Sequence, residues 1–99
     1  MRKNIVLLGL AVPWLAAQPY SNFAETERRL QGLVRQNADA ARLINAGTTA
    51  GGRPIHVLEI AVKGAVAPVA RPAVFVGANI VGYHNAGTEA ALKLAEKLL

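Results

Sequence analysis

The residues best equipped for chemistry lie together in one stretch, Asn79-Ile80-Val81-Gly82-Tyr83-His84-Asn85-Ala86-Gly87-Thr88-Glu89. An imidazole such as His84, on a loop at the end of a strand, is suited to ligating a metal or moving a proton near neutral pH. Gly82 and Gly87 have the spacing of a phosphate-binding loop. However, Thr88 and Glu89 stand where that loop needs Lys and then Ser or Thr. Without the lysine nothing reaches the terminal phosphates, and Glu89 repels them, so the nucleotide reading fails. A metal reading is short of partners. The other histidine, His56, falls in the middle of a predicted strand, and no carboxylate stands at an obvious ligand spacing from His84. Zinc centres take at least three protein ligands. His84 therefore reads as a surface or hydrogen-bonded residue and His56 as an outward-facing strand residue. Tyr83 is a loop residue, and Asn79 is expected to hydrogen-bond backbone at the strand end. Gly82 and Gly87 are expected to relieve crowding where strand turns into helix.

Positioning this stretch falls to the elements around it. Asn22 has the short side-chain oxygen of a helix cap, and Glu25 occupies the capping-box position three residues on. Phe23, Leu30, Leu33 and Val34 recur at helical spacing, and the helix is expected to end near Gln36-Asn37. Arg42–Ala46 and Ile55–Val62 read as two strands joined across Gly47-Thr48-Thr49-Ala50-Gly51-Gly52, whose glycines suit a hairpin turn. A loop with Pro68 and Pro72 leads to the apolar run Ala73–Ile80. A strand apolar on both faces belongs at the centre of a sheet covered on both sides. The chain then reads as a helix over Ala86–Leu99. Its apolar stripe is expected to be Ala91, Leu94, Ala95 and Leu98, with Glu89 pairing to Lys93 across one turn. The order helix, hairpin, buried strand, helix predicts an α/β layered domain.

The chain has 99 residues, enough for one domain, and its apolar content of 53% argues against disorder. Aromatic residues make up only 5%, and the basic residues behind the net charge of +5 are scattered. A nucleic-acid surface is therefore not expected. With no cysteine, disulfides and thiolate metal sites are excluded. Arg2 and Lys3 precede the apolar run Ile5–Val12, which Pro13 ends before Leu15-Ala16-Ala17. That is the layout of a signal peptide over residues 1–17, with cleavage near Ala17 and a secreted or periplasmic product. The run is too short to span a bilayer.

Two stretches resemble the start of the zinc carboxypeptidase family, the carboxypeptidase A type. One is Tyr20 with its following helix and then Gly51-Gly52-Arg53-Pro54-Ile55-His56-Val57-Leu58-Glu59-Ile60, similar to the family's Gly-Arg-Pro-Ile hairpin. The other, Pro72–Leu99, is similar to the family's central strand, its Asn-Ile-His-Gly-x-Glu zinc loop and the Gly-x-Glu-Ala-Leu helix. The resemblance spans essentially all of residues 18–99. It implies a three-layer α/β domain of the phosphorylase/hydrolase-like kind, here truncated after the first central strand and helix. It also implies zinc and peptide or amide substrates in the parent family.

The departure falls on the ligands. Matched residue by residue, the family's zinc-binding His is Val81 and its zinc-binding Glu is His84. Valine has no donor atom. The family's third ligand and its general-base glutamate lie beyond position 99. The expectation is an inactive N-terminal portion of an exported metallocarboxypeptidase-like protein with a degenerate metal motif. His84 is its one candidate metal residue, and no zinc is expected to be bound. The alternative is a pseudo-peptidase that binds peptide or cell-wall ligands without cutting them. The stop at Leu98-Leu99, inside an apolar helix without a capping glycine, reads as truncation.

Overall fold

A computed structural model describes residues 20–80 and 85–99. The expected signal peptide, residues 1–17, lies outside them, as do Val81, Gly82, Tyr83 and His84. The described elements run helix α1 (Phe23–Gln36), strand β1 (Ala41–Thr48), strand β2 (Pro54–Ile60), a single 3-10 turn (Pro68–Ala70) and helix α2 (Asn85–Leu98).

Helix α1 starts where its cap dictates. The Asn22 side chain accepts from the Glu25 N–H at 2.9 Å, and the Glu25 carboxylate accepts from the Asn22 N–H at 2.8 Å. Two amides left without helical partners are thereby satisfied. At the other end Asn37 donates its backbone N–H to Leu33 and Val34 and its side-chain amide to Leu33. Replacing Asn22 with alanine removes the first of these caps. The expected cost is about 1 kcal/mol, read as a lower urea midpoint followed at 222 nm.

Strands β1 and β2 form an antiparallel two-stranded sheet. Ala41, Leu43 and Asn45 pair with Ile60, Leu58 and His56, so these six share one face. The opposite face carries Arg42 opposite Glu59 and Ile44 opposite Val57, with Arg42 and Glu59 in a 3.1 Å ion pair. The register breaks between Asn45 and Thr48, where two residues of β1 stand against Ile55 alone, a bulge just before the turn. Gly52 has φ +80°, a conformation only glycine takes without strain, which is why the turn ends there. Helix α1 packs on β1 and on α2.

Two expectations need correction. The run Ala73–Ile80 is not a central strand: it has no place in the sheet, and every residue of it is exposed, with Val74 at 92% and Phe75 at 86%. A central strand needs a hydrogen-bonded neighbour on each side, and the described strands pair only with each other. The apolar stripe expected for α2, Ala91, Leu94, Ala95 and Leu98, holds only in part, at Ala95. Leu92 and Ala95 are buried, whereas Leu94 and Leu98 are exposed. Together with Ala41 these two form the core among the described residues.

After β2 the chain is gathered by Arg71, which donates to the Val66 carbonyl from Nε and to the Val62 carbonyl from Nη1, both at 2.7 Å. This staple closes the loop that precedes the apolar run.

Candidate functional site

The predicted ligand positions, Val81 and His84, lie outside the described residues, but both flanks of their segment are defined. On one side Asn79 adopts φ +58°, a left-handed turn that asparagine tolerates better than most residues. On the other side α2 begins at Asn85. A Cβ placed on Gly87 would lie 3.6 Å from the Asn79 nitrogen, an ordinary contact. The two flanks thus approach each other, and Gly87 does not relieve crowding as expected. Asn79 has no side-chain hydrogen bond among the described residues.

The strongest polar cluster sits one turn into α2. Glu89 accepts from the Ser21 N–H at 2.7 Å and from Arg29 Nη1 at 2.8 Å. Arg29 Nη1 also donates to Ser21 Oγ at 3.0 Å, and its Nη2 donates to Glu96 at 2.7 Å. The predicted Glu89–Lys93 pair is therefore replaced by a contact across helices. Arg29 arrives from α1 with a planar fork of donors that an exposed lysine on the same helix cannot match. Hydrogen bonds from Ser21 first, and then from Arg29, hold the Glu89 carboxyl at about 2, well below its ordinary 4.5. The hydrogen bonds to Glu96 and then Glu89 raise Arg29 above its usual value.

A depressed carboxyl contributes stability above its unfolded value and loses it as pH falls through the folded one. Glu89 should therefore make the chain progressively less stable between about pH 4.5 and pH 2. In an acid titration followed by circular dichroism, Glu89→Gln is expected to flatten that part of the profile. A profile of unchanged steepness would mean that Glu89 is not held this way in solution.

A second cluster lies between α1 and the sheet. His56 is not outward: its side chain is only 15% exposed, and its Nε2 lies 2.9 Å from Glu27 Oε1. The Phe23 ring stacks on His56, with centroids 6.2 Å apart and planes inclined by 17°. Arg53 sits over the Phe23 ring at 5.1 Å. Phe23 and Glu27 stand four apart on one face of α1, so both come down over His56. Sequence reasoning treated Phe23 and His56 separately. The helical spacing of Phe23 and Glu27 was visible, but nothing in the sequence said which strand face they would cover. At the hairpin exit Arg53 is tied back to Thr49. The Arg53 N–H donates to Thr49 Oγ1 at 3.1 Å, and its carbonyl accepts from the Thr49 N–H at 2.8 Å.

An open concavity of about 390 Å³ is lined by Ser21, Glu25, Arg28 and Arg29. Its polar groups are largely spent internally, Arg29 on two carboxylates and Glu25 on the helix cap.

Against known protein families, the chain matches the zinc carboxypeptidase family over residues 26–99. No curated protein matches it. The match covers most of the chain, and the protein belongs to the zinc carboxypeptidase family. That membership implies zinc and peptide substrates for the family at large. The described donors of this chain do not fit a zinc centre. Among the described residues no three of His, Cys, Asp and Glu converge. The nearest imidazole–carboxylate pair, His56 and Glu27, is closed over by Phe23. No helix among the described residues is long and apolar enough to cross a membrane.

Proposed function

We propose that this chain is the N-terminal portion of an exported zinc carboxypeptidase-like protein whose first metal-ligand motif is degenerate, and that it does not hydrolyse peptides by itself. The observation that carries this reading is the run Val74, Phe75, Val76 and Ile80. It is fully apolar, exposed, and placed just before the segment that aligns with the family's zinc loop. Apolar surface of this kind marks a missing partner element. In a three-layer domain the run becomes a central strand once further strands pair with it. The half-covered second face of the hairpin, with Ile44 and Val57, then lies inside the same sheet.

Val81 and His84 stand where the family has its ligand pair, and valine offers no donor. Metal-assisted hydrolysis needs at least three protein ligands, an open coordination position for water and a group to activate that water. Residues Met1–Ala17 act as the export signal, which gives a secreted or periplasmic product. The expected result is that zinc titration by calorimetry finds no stoichiometric site tighter than micromolar, and that C-terminal peptide substrates stay intact. Sub-micromolar binding that disappears in His84→Ala would overturn the reading and establish a rearranged site.

A further inference from the structure

We propose that the loop Val62–Arg71 is a contact site for a lipid surface carrying anionic headgroups. Every residue from Val62 to Ala70 is exposed, and Val69, inside the 3-10 turn, is 93% exposed. Val62, Val66 and Val69 are the large apolar side chains of the loop, and Lys63 and Arg71, near its two ends, are its only charges. Between Glu59 and Glu89 the chain has no Asp or Glu at all. An apolar loop with cations at its ends and no carboxylate of its own suits an interface where acyl chains lie beneath anionic headgroups. Asp39 lies 2.7 Å from Lys63 Nζ, but both side chains are mostly exposed. A pair of that kind holds weakly against a field of phosphates.

The loop also meets much of its own backbone demand. The carbonyls of Val62 and Val66 accept from Arg71, and those of Ala67 and Pro68 accept from the Ala70 and Arg71 N–H groups at 3.0 and 3.1 Å. Pro68 brings no N–H to satisfy. These carbonyls are bonded within the loop although its residues are open to water, which lowers the cost of taking it out of water. A protein partner fits less well. The loop has no aromatic residue, and valine is under-represented among the residues that anchor protein interfaces. Partition into acyl chains asks only for apolar area. The inference does not rest on the peptidase reading, and it uses neither the run Ala73–Ile80 nor the zinc-loop positions.

Bulk binding to vesicles does not isolate the loop, because Ile5–Val12 and Phe75 are apolar too. The full chain has no cysteine, so a polarity-sensitive fluorophore at Ala67→Cys reports on the loop alone, with exposed Gln36→Cys at the end of α1 as the reference. The full chain is mixed with vesicles of equal parts phosphatidylcholine and phosphatidylglycerol. Emission from the label at 67 is expected to shift to the blue and to be quenched by spin-labelled acyl chains, with the label at 36 unchanged. The shift should be lost in Val66→Asn/Val69→Asn and in Lys63→Glu. Full retention of the shift in either variant overturns the proposal, as does the absence of any vesicle-induced shift at 67. A blue shift that grows with protein concentration in the absence of vesicles assigns the loop to a second copy of the chain and overturns it as well.

Discussion

Leu92→Ala is expected to unfold a large share of the chain at room temperature. Leu92 is the most buried large side chain described, at 3% exposure, and it shares the core with two alanines. Removing its isobutyl group loses the transfer free energy and leaves a hole that two alanines cannot fill. Such truncations cost about 2–5 kcal/mol, and the lower half of that range applies where the surroundings are loosely packed. Small domains hold only about 5 kcal/mol or little more in total. The expected readout is loss of most ellipticity at 222 nm in Leu92→Ala, with the same change at exposed Leu94 nearly silent. Equal effects at both positions would mean that α2 presents the face read from its sequence, with Leu94 and Leu98 inward.

Phe75→Lys is expected to do the opposite of what a central strand requires. A lysine in a strand buried on both faces would leave an unpaired charge in the core and prevent folding. At 86% exposure Phe75 has little packing to lose, so the unfolding free energy from urea titration should change by no more than about 0.5 kcal/mol. The charge also interrupts the patch made with Val74, Val76 and Ile80. The concentration at which the 99-residue chain begins to associate should therefore rise several-fold, measured by light scattering. A destabilisation above about 2 kcal/mol would show that the run is covered in solution, by the chain itself or by another copy.

These two results divide what is local from what is not. Helix α1 was legible because its signals are contained within it. Asn22 and Glu25 satisfy each other across one turn, and Asn37 closes the far end. The hairpin was legible for a similar reason: a turn whose last glycine needs a positive φ leads into a strand rich in β-branched residues, Ile55–Val62. Its exact limits shifted, with β1 extending to Thr48 and β2 beginning at Pro54, because the bulge at Ala46-Gly47 absorbs a residue that alternation alone does not reveal.

Elsewhere one pattern was compatible with two environments. Ala73–Ile80 has the composition of a buried strand, but composition states only what a segment prefers to bury. Whether it is buried depends on neighbouring strands, and the described ones do not reach it. In the same way the α2 repeat admits two adjacent stripes. Ala95 is buried as expected, and the choice of Leu92 over Leu94 and Leu98 follows from where α1 lies, with Arg29 holding Glu89 and Glu96 beside it.

The sequence by itself determined the α1 caps, the turn, the two helices and the hairpin, and the family, because each is written in residues near one another or in an ordered series of motifs. Tertiary structure alone decided the partners of Glu89 and His56. Lys93 is only four residues from Glu89, yet Arg29, sixty residues away, takes it. His56 finds Glu27 and Phe23 because a helix crosses its strand face. Charge pairing follows distance in space, and that distance is set only when helix and sheet pack.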